Sequence, residues 1–147
     1  DKSGRLYLSV PSTGNMEMQL VSEGLRKLAM LAQLISNGVL QENGYVFWDE
    51  PESNLNPKLI KLIAKVIYSL AANGVQVFIA THSLFLLREL EIIAANENDT
   101  RFTQRYFSLN PEGGSVIIEQ GNELADLQTL VMLDETLQQS DRYMELE

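Results

Sequence analysis

An apolar run, Tyr45-Val46-Phe47-Trp48, ends abruptly in Asp49-Glu50-Pro51, and a second β-rich run, Val75 to Ala80, closes on Thr81-His82-Ser83. Between them, Asn56-Pro57 supplies an N-cap and a first helical residue whose missing N–H costs nothing. Leu59, Ile60, Leu62, Ile63, Val66, Ile67 and Leu70 then give that helix a broad apolar face, and Gly74 stops it. Strand, helix and strand form a βαβ unit that crosses over right-handedly and pairs its strands in parallel. The uninterrupted apolar run at Tyr45 suits a strand buried on both faces of such a sheet. The acidic pair and the histidine triplet therefore leave the sheet at the same carboxyl edge, where open α/β sheets bind ligands. The competing reading is that Asp49, Glu50 and Pro51 simply begin a turn.

At 147 residues and 45% hydrophobic content, the chain is long enough for one domain with a real core. It begins with Asp1 rather than Met, which reads as a processed chain or a piece excised from something longer. No apolar run spans a bilayer and no charged-then-apolar leader is present, so no membrane partner is expected. The absence of cysteine excludes disulfides and thiolate metal sites, and a single histidine argues against zinc; a reducing cytoplasm fits. A net charge of −9, from 20 acidic and 11 basic residues, sets the field of this chain against a phosphate backbone. Arg26 with Lys27, the trio Lys58, Lys61 and Lys65, and Arg101 with Arg105 are the candidate basic patches, each with the plainer reading of a solvated face.

Arg5 to Val10 alternates as a strand and runs into the turn cluster Pro11 to Asn15. From Ser22 the period changes: Leu25, Leu28, Ala29, Ala32 and Ile35 line one helical face that Leu31 and Leu34 widen, with Ser22 as N-cap and Gly38 as stop. Ser83 can cap a further helix to about Ala95. Arg101 to Leu109 and Ser115 to Glu119 read as strands of a hairpin turned by Asn110 to Gly114, and Leu124, Leu127, Leu130, Val131 and Leu137 suggest a final helix or two. The expected organisation is one unit over 1–147, with a motif-bearing core at 21–90, a hairpin at 101–119 and a helical tail at 122–147.

Hydrolysing a nucleotide needs a divalent cation held by a carboxylate, a base that orients water, and donors that neutralise the terminal phosphate. Asp49 and Glu50 can divide the first two tasks, but consecutive strand residues point to opposite faces. A kink after the strand is therefore required, and Pro51 makes one plausible. His82, at the end of the neighbouring strand, is placed to donate to a phosphate oxygen; the alternative is a structural histidine beside a helix cap.

The string Asp49-Glu50-Pro51-Glu52-Ser53-Asn54-Leu55-Asn56-Pro57 resembles the Walker B motif and D-loop of ABC-type ATPases. Thr81-His82-Ser83 resembles their H-loop, and Val21-Ser22-Glu23-Gly24-Leu25-Arg26-Lys27 is similar to their signature motif. The motifs occur in the family's order over roughly Val21 to Leu90. By this resemblance Asp49 would hold Mg²⁺, mostly through water, Glu50 would be the catalytic base, and His82 would contact the γ-phosphate of ATP. Ser53, Asn54 and Leu55 would form a loop crossing a homodimer interface. Ser22, Glu23 and Gly24 would face a nucleotide bound mainly by the opposite protomer; a serine hydroxyl and a small residue at a helix N-terminus suit an anion. Transporters read LSGGQ here, whereas this chain has Glu23 for the first glycine and Leu25 for the glutamine, and Asn56 replaces the usual aspartate. Such a carboxylate is unfavourable near a phosphate unless Glu23 points away. The Ser-x-Gly form followed by Arg26-Lys27 is closer to SMC- and RecF-like ATPases and to AAA-family, ABC-like ATPases of bacterial defence and overcoming-lysogenization-defect systems. The implied fold is α/β: a three-layer P-loop NTPase fragment with a mainly parallel sheet, a C-terminal β-hairpin and a helix.

No GxxxxGK[ST] loop occurs in the chain. The resemblance is thus to the carboxyl-terminal half of an ATPase of DNA processing or defence, with DNA or an effector as a possible further partner. Alone, this half is expected to bind nucleotide poorly and to be inactive or weak. Without the P-loop strand, the strand ending at the histidine exposes an edge, which 101–109 or a second copy is expected to fill. Two other classes stay open: a non-enzymatic interaction module that keeps the fold, and a metal-dependent nuclease built on Asp49, Glu50 and Glu52.

Overall fold

The computed structural model describes residues 7–10, 14–17, 23–38, 40, 43–97, 102–128 and 130–146. The chain divides into two compact units, Asp1–Thr81 and His82–Glu147. Ser22 and Arg101 lie outside the described residues.

In the first unit, β1 (Tyr7–Val10) and β2 (Gly14–Glu17) form an antiparallel hairpin, with Val10 opposite Gly14. The second strand falls partly on residues expected as a turn. Gly14-Asn15 carries no strand signal of its own, so the pairing with β1 decides its conformation. Helix α1 (Glu23–Ser36) follows and stops where Gly38, at φ 66°, donates its N–H to the Ile35 carbonyl at 3.1 Å.

Strand β3 (Tyr45–Asp49), helix α2 (Pro57–Ala72) and strand β4 (Gln76–Ala80) make the expected βαβ unit, with β3 and β4 parallel and Asp49 in register with Ala80. Local chemistry sets both ends of α2. The Asn56 side chain accepts the Leu59 N–H at 3.1 Å, with Pro57 in the first turn. At the other end Gly74, at φ 82°, donates to Ala71 at 3.0 Å and Val75 donates to Leu70 at 3.1 Å, a Schellman closure. Leu70 and Val75 then bury together with Leu31 of α1, so the turn that ends the helix also seeds the core. Asn56→Ala is expected to lower stability by about 1 kcal/mol, the usual cost of a lost N-cap, read as a shift in the urea midpoint with an unchanged slope.

One face of the strand pair covers this core: Val46, Trp48 and Val77 pack against Leu31, Leu70 and Val75, joined by Val66 and Leu40. The other face is open. Tyr45 and Phe47 are 66% and 79% exposed, and the Phe47 ring stacks on Phe78 at 4.7 Å with the planes 7° apart. The expectation of a strand buried on both faces is therefore corrected. Leu31 of α1 and Val66 and Leu70 of α2 all meet the same face of the sheet, and on the other the Phe47 and Phe78 rings stack.

In the second unit, α3 (Leu84–Glu97) starts as expected with Ser83, whose hydroxyl oxygen accepts the Leu86 N–H at 3.2 Å. Strands β5 (Tyr106–Glu112) and β6 (Ser115–Gly121) form an antiparallel hairpin. Its turn is tighter than the expected 110–114: Gly113 and Gly114, at φ 57° and 85°, form a two-residue loop whose twist matches the strands, and Asn110 and Pro111 stay in the ladder. Burial, with Glu91 adding to it, pushes the Tyr106 hydroxyl above its usual range, and that hydroxyl donates to Gln104 at 3.1 Å. Leu124 and Leu127 are buried around a short 3₁₀ turn whose Leu124 N–H is accepted by Glu91 at 2.8 Å. Helix α4 (Val131–Met144) closes the chain.

The expected pairing of 101–109 with the strand before the histidine is not found: among the described residues β5 pairs with β6, and β4 with β3. A two-residue turn commits β5 to its sequence neighbour before any long-range partner. None of the described helices is long and apolar enough to cross a membrane.

Candidate active site

The end of β3 carries the acidic pair into a sharply bent loop. Asp49 is the last strand residue and lies on the open face with Tyr45 and Phe47. Glu50 donates its backbone N–H to the Ala80 carbonyl at 2.8 Å and then turns to φ 44°, the left-handed region. This is the kink that two consecutive carboxylates require. A non-glycine residue there costs about 1–3 kcal/mol and persists only where its surroundings hold it. The loop repeats the device at Asn54, φ 62°, and closes through Ser53 N–H to the Glu50 carbonyl and Leu55 N–H to the Glu52 carbonyl, both at 3.1 Å.

The first turns of α1 rest on this loop. Glu23 accepts a hydrogen bond from the Asn54 amide at 2.8 Å, so its carboxylate is engaged by the loop. Gly24 is buried where a Cβ would lie 2.7 Å from the Asn54 carbonyl oxygen and closer still to the Leu55 side chain. That position requires glycine because helix and loop backbones approach each other directly. One turn further on, the Lys27 ammonium donates to the Ser53 hydroxyl and, at 3.4 Å, to the Glu50 carbonyl. On the other side of the loop, Thr81 donates its hydroxyl to the Glu52 carboxylate at 2.6 Å.

The structure thus brings together Asp49, Glu50, Ser53, Asn54, Leu55, Glu23 and Gly24 of the expected set within one unit. His82 is exposed, follows Thr81 in the chain and opens the second unit. Lys27 and Thr81 join the loop without a role of their own in the expected site, and Glu52 had stood only in the alternative nuclease set. Lys27 stood among the basic-patch candidates, and its spacing of one helical turn from Glu23 was the signal available. Among the described residues no cluster of three histidine, aspartate or glutamate side chains could hold a metal. Asp49 offers a single carboxylate, a donor set that fits Mg²⁺, which takes one or two carboxylates with phosphate and water completing its shell.

The α/β fold, with its parallel strand pair and helices, resembles the SMC ATPase fold. A solved chain from structural work on ATP-driven dimerization and DNA-stimulated activation of SMC ATPases superposes with a TM-score of 0.61 at 11% identity, covering 93% of this chain and 72% of that one. Residues 4–88 match the model of the family described as AAA domain, putative AbiEii toxin, Type IV TA system, and the chain belongs to that family. No curated protein matches it.

Proposed function

We propose that this chain is the signature-bearing half of an ABC-like ATPase that hydrolyses ATP between two protomers. The observation that carries the reading is the junction of α1 with the loop 50–55, where Glu23 and Gly24 meet Asn54 and Leu55 and where Lys27 reaches Glu50 and Ser53. A turn with no further role needs neither a left-handed glutamate nor a helix N-terminus seated on it.

Within this reading Asp49 holds Mg²⁺, which when bound neutralises charge on the phosphates and so lowers the cost of phosphoryl transfer. Glu50 orients and deprotonates the attacking water. The left-handed turn at Glu50 breaks the strand alternation after Asp49, so the two carboxylates need not face opposite sides of the sheet. The N-terminus of α1, at Glu23 and Gly24, presents backbone N–H groups and a partial positive charge to the terminal phosphate of a nucleotide held by the facing protomer, the phosphate that the resemblance also assigns to Ser22. Engagement of Glu23 by Asn54 occupies the carboxylate that would otherwise oppose that anion. Ser53, Asn54 and Leu55 contribute the surface that meets the partner, and His82 donates to the γ-phosphate. The process driven is DNA processing or phage defence, in a reducing cytoplasm.

The test is Mg²⁺-dependent release of phosphate from ATP by the full-length protein, run beside a DNA-cleavage assay. Phosphate release without cleavage supports the ATPase; Mg²⁺-dependent cleavage without ATP turnover supports a nuclease; neither leaves an interaction module.

A further inference from the structure

We propose that Glu52 is a positioning residue for the Glu50 base, holding the loop 50–55 against the end of β4 through Thr81. This rests on the reading of Glu50 as the base. Among the described residues Glu52 is the one charged side chain that is buried, at 8% exposure, and it sits in a surface-connecting loop where a carboxylate would ordinarily turn to water. One of its oxygens accepts the Thr81 hydroxyl at 2.6 Å, while the other is buried with no hydrogen-bond partner. Burying a carboxylate on one hydrogen bond opposes folding, so a device meant only for stability would be better served by an apolar side chain. What the carboxylate adds is direction.

The geometry supplies that direction. Consecutive residues of β4 and its exit hold two points of the loop: the Ala80 carbonyl takes the Glu50 N–H at 2.8 Å, and the Thr81 hydroxyl takes hold of Glu52. Pro51, fully buried, lies between those points, and its ring fixes φ. Glu50 is therefore clamped on both sides while its own backbone is in the left-handed region, a conformation that needs external restraint. Releasing the Glu52 clamp lets Glu50 relax away from the geometry in which it can orient a water.

The test is ATP turnover by full-length protein carrying Glu52→Ala, Glu52→Gln, Thr81→Val, or Glu52→Ala with Thr81→Val, each normalised to the folded fraction measured by circular dichroism. Glu52→Ala and Thr81→Val are expected to lower kcat by similar factors, roughly tenfold to a hundredfold, the scale of a misplacement of about 1 Å, with KM for ATP unchanged. The double variant should be no worse than either single one, and Glu52→Gln, which keeps the accepting oxygen, should recover most of the turnover. Should Glu52→Ala fail to fold, Thr81→Val, which removes the donor and keeps the shape of the side chain, carries the test. Turnover per folded molecule that survives Thr81→Val, or losses that multiply in the double variant, would overturn the proposal while leaving the ATPase reading intact. Absence of turnover in the unsubstituted protein overturns the ATPase reading itself.

Discussion

Glu50→Gln in the full-length protein is expected to cut ATP turnover by roughly 10²–10⁴-fold, the contribution of a positioned general base, while ATP binding is retained. The substitution keeps the size of the side chain and removes its ability to take a proton. The backbone N–H of residue 50 still reaches the Ala80 carbonyl, so the loop is expected to hold its course. A loss confined to kcat identifies an interaction made in the transition state, whereas a rise in KM alone would move Glu50 into substrate binding. Phosphate release under single-turnover conditions measures the effect directly, because product release does not enter it.

Ile63→Ala is expected to have the largest effect on folding. Ile63 is fully buried in the middle of α2, next to the equally buried Ala64. Removing its branched side chain takes away transfer free energy and leaves a cavity, and such changes cost about 2–5 kcal/mol. Total stabilities of small domains are about 5–15 kcal/mol, so this single change consumes a large share. The expected result is a lowered urea midpoint at constant slope. A loss well under 1 kcal/mol would mean that the surroundings of Ile63 close around the smaller side chain and leave no cavity.

The βαβ unit was readable because its punctuation is local. Asn56-Pro57 and Gly74 carry their cap chemistry in their own side chains or in the lack of one, and the observed hydrogen bonds use it. The position of Asp49-Glu50 at a strand end, and the need for a kink after it, followed from the alternation of strand side chains. What could not be read depends on long-range contacts. A continuous apolar run does not say which of its faces is covered, so Tyr45 and Phe47 looked the same as Val46 and Trp48. Glu52 and Thr81 are polar residues in connections, and nothing in their neighbours announces that they meet, 29 residues apart. Lys27 looked like part of a solvated helix face until the loop 50–55 was placed beneath it. The strand at Gly14 had no pattern at all and exists because β1 lies beside it.

If two copies close on ATP, with the N-terminus of α1 and the loop 50–55 at their junction, nucleotide controls their association. The most direct measurement is the solution mass of full-length Glu50→Gln protein with Mg²⁺ and with or without ATP. A monomer or weak dimer is expected without nucleotide and a stable dimer with it, because ATP is bound and cannot be turned over. A mass that ATP leaves unchanged, in protein shown to bind ATP, would contradict it.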